Sequence, residues 1–221
     1  TQVQTAYASA RRVFDLLDAK EIKPDPVDAE VIQNPQGSIE FDDVAFSYDP
    51  KHPLLSHISF RAEPGQKIAL VGPTGCGKTT LINLLLRFYS IDSGAIYVDG
   101  HNTQKLTRAS LREQFGMVLQ DTWLFKGTIK ENIRYAKPDA TDEEIIAAAQ
   151  KAQAHEFIQQ LPQGYDTMVG ESGGSLSQGQ QQLLCIARVM LANPPILLLD
   201  EATSSIDTRT EQLVQKAFDT I

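Results

Sequence analysis

Apolar residues recur along the first part of the chain at steps of four, three, four and three, through Val3, Tyr7, Ala10, Phe14 and Leu17. That spacing puts them on one face of a helix over residues 1 to about 22, a face expected to pack on something. Pro24, Pro26 and Pro35 follow in a stretch with little to bury, which reads as a linker with a domain boundary near Gly37. Residues 39–48 and 58–62 alternate well enough for half-buried antiparallel strands, with Asp42 and Asp43 interrupting the first like a bulge. Pro64 and Gly65 turn the chain.

Residues 67–71 predict a short buried strand that runs into a glycine-rich loop, and residues 79–88 then show helical spacing through Leu81, Leu84, Leu85 and Phe88. Ile96 and Val98 alternate up to an Asp99-Gly100 turn, and residues 115–119 predict another buried strand, ending at Gln120. Thr128 with Glu131, and Thr141 with Glu144, have capping-box spacing, the second pair opening an alanine-rich helix expected to stop before Pro162. Residues 121 to about 178 therefore read as a helical insertion. Asn193-Pro194-Pro195 ends a later helix and feeds residues 196–199, four apolar positions typical of a central parallel strand. Strands alternating with helices predict an α/β fold with a mostly parallel sheet, an antiparallel β portion ahead of it and an α-helical portion within it.

The 221 residues allow one large domain, or one domain with a small appendage, and the 42% hydrophobic and 22% charged content excludes general disorder. A net charge of −8 repels phosphate backbones, so no nucleic-acid partner is expected. No apolar run approaches the roughly 20 residues that span a bilayer, and no signal-peptide pattern opens the chain, which predicts a soluble segment. Cys76 and Cys185 suggest neither a disulfide framework nor a metal spacing.

The chemistry concentrates in three places. Gly72-Pro73-Thr74-Gly75-Cys76-Gly77-Lys78-Thr79 fits G-x-x-x-x-G-K-[ST] between a predicted strand and a predicted helix, the context a phosphate-binding P-loop requires. Its glycines let successive N–H groups point inward, the helix N-terminus adds positive potential, Lys78 offers a cation to the β- and γ-phosphates, and Thr79 a hydroxyl to Mg²⁺. Asp200 closes an apolar strand where it can hold the Mg²⁺ shell, and Glu201 beside it can act as general base toward a water; alone, the pair would read as a solvated acidic turn. Leu176-Ser177-Gln178-Gly179-Gln180 precedes a long helix with S-x-x-Q spacing. It reads equally as a well-capped helix or as an anion site at the helix N-terminus, approached by the glycine-rich residues 171–175.

Taken in order from about residue 39, the P-loop, Gln120, Leu-Ser-Gln-Gly-Gln and Ile-Leu-Leu-Leu-Asp-Glu resemble the nucleotide-binding domain of an ATP-binding cassette (ABC) transporter. Within that family the chain is most similar to bacterial exporters that carry membrane and ATPase domains in one polypeptide. Residues 7–17 look like the end of their last transmembrane helix. The resemblance implies residues 1–36 as helix and linker from a membrane domain and residues 37–221 as an ATPase domain. It implies ATP and Mg²⁺ as ligands of the P-loop, extended to Thr80.

Further roles follow only from the resemblance. Tyr48 matches the aromatic that stacks on adenine. Gln120 matches the glutamine that contacts Mg²⁺ and water and senses the membrane domain. Ser177, Gly179 and Gln180 match the signature that contacts the γ-phosphate of ATP on the opposite subunit. Asp207, after Ser204-Ser205-Ile206, matches the aspartate that links two such sites, and is equally compatible with a helix N-cap. Val169-Gly170-Glu171 resembles the segment that touches the membrane domain's coupling helices. The implied partners are a second ATPase domain, identical or related, and transmembrane domains, at the cytoplasmic face of the membrane.

Two positions depart from the family pattern. Gln178 stands where the signature usually has glycine. No histidine follows His155, so the family's switch histidine, on a strand after Asp207, is expected outside this segment. Two other readings remain open from the residues: a nucleotide-binding half-site with little hydrolysis, against which Glu201 argues, and an ABC-type ATPase of DNA maintenance, whose coiled-coil insertions and basic face are not visible. The absence of an N-K-x-D base-reading motif disfavours a GTPase.

Overall fold

The computed structural model describes residues 2–19, 21–119, 122–170, 176–199 and 208–220. Its antiparallel part is a four-stranded sheet in the order β2-β1-β3-β4, from β1 (Ile39–Phe46), β2 (Leu55–Ala62), β3 (Ser93–Val98) and β4 (His101–Asn102). Register shifts between Phe41 and Val44 put a bulge at Asp42 and Asp43, as the pattern predicts. The bulge keeps Phe41, Val44 and Phe46 all facing inward. They pack with Leu55, Ile96 and Val98 against Leu84 and Leu85 of α2 (Lys78–Leu85) and Leu111 of α3 (Arg108–Arg112), forming one core.

A second core is mainly helical. Here α4 (Ile129–Arg134), α5 (Asp142–Lys151) and α6 (His155–Gln160) surround α7 (Gln178–Ala192), with Val214 and Ala217 of α8 (Thr208–Thr220) added from beyond it. A short ladder between β6 (Gly127–Thr128) and β7 (Met168–Val169) closes this part. Both expected capping boxes form, with Thr128 accepting from the Glu131 N–H and Thr141 from the Glu144 N–H. The alanine-rich helix stops before Pro162, as expected, and well short of it. It breaks at Gln153, whose φ of 57° lets Ala154 N–H reach Ala149 C=O at 2.8 Å, so α5 ends in a Schellman turn and buries Ala152 and Ala154.

The parallel part is smaller than expected. β5 (Phe115–Val118) and β8 (Ile196–Leu199) pair in parallel, Val118 opposite Leu199. Residues 67–71 join no ladder, and Ile68, Leu70 and Val71 are 44%, 41% and 93% exposed. An apolar run becomes a strand only when neighbours satisfy its backbone, and among the described residues no strand lies against this one.

The helix α1 (Gln2–Leu17) forms as predicted, yet its apolar face packs on nothing among the described residues, leaving Tyr7, Phe14 and Leu17 exposed. No helix among the described residues is long and apolar enough to cross a membrane. The proline-rich stretch after α1 is extended but tied down. The Asp25 carboxylate accepts from Arg108 N–H and guanidinium at 2.9 and 2.6 Å, Ile32 is buried, and the Asp99 carboxylate accepts the N–H groups of Gln36, Gly37 and Ser38.

Candidate functional site

Residues 72–77 form an irregular loop that ends at Gly77, the left-handed N-cap of α2, with φ of 98°. The two flanking glycines sit tightly against side chains, and Gly77 also takes a left-handed conformation. A Cβ on Gly72 would lie 2.6 Å from Cys76 Sγ, and one on Gly77 would lie 2.8 Å from Leu55 Cδ2. Lys78 opens the helix and folds back across the loop, its Nζ donating to the C=O groups of Gly72 at 2.7 Å and Pro73 at 3.2 Å. Thr79 is exposed beside it, Thr80 is buried, and Gly75, Thr74 and Cys76 line the outer rim. The loop thus sets a helix N-terminus and an ammonium side by side, two features that a polyphosphate site uses.

Tyr48, just beyond β1, lies next to this loop, its hydroxyl sharing a 3.2 Å hydrogen bond with Thr80 Oγ1. Phe46 and Tyr89 meet its ring at 84° and 89°, with centroids 4.8 and 5.0 Å away.

Ser177 is the N-cap of α7 in a reciprocal box: Gln180 N–H donates to Ser177 Oγ at 3.2 Å, and Ser177 N–H to Gln180 Oε1 at 3.0 Å. Gly179 is buried and Ser177 exposed at the tip. The capping reading is therefore realised, and the same helix N-terminus remains turned outward. Gln120, Asp200, Glu201, Asp207 and Glu171 lie outside the described residues. β5 and β8 end side by side, Val118 opposite Leu199. Among the described residues no group of three or more His, Cys, Asp or Glu could hold a metal ion.

The four histidines sit in local pairs: His52 with Asp49, His57 with Asp43, His101 with Glu30 and His155 with the Tyr165 hydroxyl. Burial pushes the Tyr165 phenol up to about 12, so it stays neutral beside His155.

Sequence reasoning misses a polar clamp behind the segment that follows Gln120. Arg188, in the middle of α7, donates to Trp123 C=O at 2.6 Å, Asn132 C=O at 2.7 Å and Asn132 Oδ1 at 2.6 Å. Its guanidinium also lies near the Trp123 and Tyr135 rings, 5.9 and 5.8 Å from their centroids. Burial lowers the Arg188 pKa and raises that of neighbouring Cys185. Thr122 Oγ1 donates to Gln181 Oε1 at 3.1 Å, a second tie to the same helix. The single signal in the chain is an arginine amid an apolar helical run.

Known proteins share the sequence pattern and the fold. The ABC transporter family profile matches residues 55–204. A fatty acid ABC transporter ATP-binding/permease protein of Mycobacterium bovis is 53% identical over 98% of this chain and 34% of its own length. A putative multidrug export ATP-binding/permease protein of Staphylococcus aureus is 50% identical over 95% of this chain and 36% of its own length. The solved structure of a bacterial Atm1-family ABC exporter with ATP bound superposes with a TM-score of 0.84 and 42% identity, covering 98% of this chain and 38% of that one. The chain thus spans about a third of the length of the relatives it matches. With its P-loop NTPase fold and the order of its motifs, the chain belongs to the ABC transporter family.

Proposed function

We propose that this chain is the ATPase domain of an exporter of the multidrug or lipid type, its ATP-dependent closure against a second such domain powering transport. The observation that carries the reading is the loop over residues 72–79, left-handed at Gly75 and Gly77 and crossed by the lysine, whose Nζ donates to the Gly72 and Pro73 carbonyls. In this reading residues 72–80 hold the phosphates and Tyr48 stacks on adenine. Thr79, Gln120 and Asp200 would hold Mg²⁺, which when bound neutralises charge on the β- and γ-phosphates. Glu201 takes the proton from the attacking water, with Gln120 orienting it.

The outward-facing tip of α7, with Ser177, Gly179 and Gln180, suits the phosphate of a nucleotide held by the opposite domain, identical or related. Residues 1–36, with the unpartnered face of α1, form the connection to a membrane domain of the same polypeptide, and residues 121–178 form a helical subdomain facing it. The domain then works at the cytoplasmic face of the membrane. A change that favours the closed pair only when nucleotide is bound supplies the drive.

The test is equilibrium titration of the chain with a non-hydrolysable ATP analogue and Mg²⁺. Saturable binding that Lys78→Ala weakens at least about tenfold is expected, since the substitution removes the cation aimed at the phosphates. Equal affinity in the two proteins would refute the phosphate cradle.

A further inference from the structure

The orientation of the Tyr48 ring is set by a residue outside every motif named so far. A tyrosine hydroxyl lies on the axis of its own ring flip, so the bond to Thr80 Oγ1 fixes where the Tyr48 axis points and leaves rotation about that axis open. Rotation decides which way the ring face turns. The contacts that stop it are the two perpendicular rings, Phe46 at 4.8 Å and Tyr89 at 5.0 Å, in the edge-to-face geometry aromatic pairs prefer.

Phe46 is buried in the β1 core, whereas Tyr89 is 46% exposed and belongs to the rim of the site. It arrives there by a turn built for the purpose. Arg87, with φ of 54°, sits past the end of α2, and Phe88 N–H reaches Asn83 C=O at 2.9 Å, a Schellman closure that swings the chain back toward β1. The left-handed arginine is held by its own side chain, which donates to Leu106 C=O at 2.5 Å and lies 3.5 Å from the Asp25 carboxylate. One short helix therefore starts at the lysine of the phosphate loop and ends by delivering a ring against Tyr48.

We infer that Tyr89 is a positioning residue for nucleobase recognition: it locks the Tyr48 ring in the rotation that presents a face to a purine. This rests on the reading of Tyr48 as the stacking residue. The ring, not the hydroxyl, carries the effect, and phosphate binding is indifferent to it.

The experiment measures equilibrium affinity of the chain for ATP and for inorganic tripolyphosphate, each with Mg²⁺, in the unaltered protein and in Tyr89→Ala, Tyr89→Phe and Tyr48→Ala. Tyr89→Ala is expected to weaken ATP binding about three- to tenfold, as the loss of one aromatic pair would, and to leave tripolyphosphate binding within twofold. Tyr89→Phe is expected to restore ATP affinity. Loss of ATP affinity in Tyr48→Ala but not in Tyr89→Ala would overturn the inference while sparing the role of Tyr48. Equal weakening toward both ligands in Tyr89→Ala would overturn it as general damage to the fold. Unchanged ATP affinity in Tyr48→Ala would overturn the stacking role and this inference with it.

Discussion

Asn132 is fully buried, and all its amide capacity is spent on three residues. Oδ1 accepts from Phe125 N–H at 3.1 Å and from Arg188 at 2.6 Å, while Nδ2 donates to the C=O groups of Phe125 at 3.1 Å and Thr128 at 3.0 Å. Asn132→Ala removes these bonds without letting water in. The two carbonyls keep a further lone pair and lose little. The Phe125 N–H and one guanidinium N–H lose their acceptors, at about 1–3 kcal/mol for the neutral donor and somewhat more for the charged one. The expected loss is therefore about 3–5 kcal/mol, a large share of the roughly 5–15 kcal/mol that holds a domain together. Urea unfolding read by fluorescence measures it, as a lower midpoint at unchanged slope.

Arg188→Leu should destabilise comparably, because it removes three charge-assisted hydrogen bonds, to Trp123 C=O, Asn132 C=O and Asn132 Oδ1. The two side chains share one bond and one buried environment, so the double variant should lose at least about 1.5 kcal/mol less than the sum of the singles. A loss under about 1 kcal/mol in Asn132→Ala, or additivity within about 0.5 kcal/mol, would refute the clamp.

In the full-length transporter, Glu201→Gln is expected to leave ATP binding intact and to lower turnover by at least about 100-fold, the low end of what removing a general base costs; phosphate-release kinetics check it. Cys76 is exposed on the loop whereas Cys185 is half-buried with its thiol pKa raised by burial, so maleimide should modify Cys76 first, with Mg-ATP protecting it; peptide mass spectrometry reads both sites. Asp142 and Glu144 are held below their ordinary values of 3.8 and 4.5, first by hydrogen bonds from Lys130 and Lys137. Their contribution to stability is full above those values and is lost as pH falls through the lowered folded-state ones, and molar salt should shrink it because both carboxylates are exposed, as thermal midpoints across pH and salt will show.

What could be read from the chain was whatever its neighbours in sequence determine. The bulge at Asp42 and Asp43, the capping boxes at Thr128 and Thr141, and the Ser177–Gln180 box all depend on residues within a few positions of each other, and all form. The break between α5 and α6 is not legible in the sequence, because Gln153 carries no glycine or proline signal. Burial of Ala152 and Ala154 in the helical core selects the turn there, and that core is assembled from distant elements. Residues 67–71 fail for a related reason: an apolar run reports what a segment can bury, not whether a ladder partner lies beside it.

The site shows the same division. The glycines and lysine of residues 72–79 announce themselves because phosphate binding by a backbone needs those residues in sequence. The geometry of Tyr48 does not, since Tyr89 reaches it across 41 positions and Thr80 across 32. Arg188 likewise meets Asn132 and Trp123 from 56 and 65 positions away. In both cases the side chain that orients or anchors another belongs to a different element. Local pattern therefore finds the groups a ligand would touch, while the side chains that set their orientation become visible only when α2, β1 and α7 are placed in space.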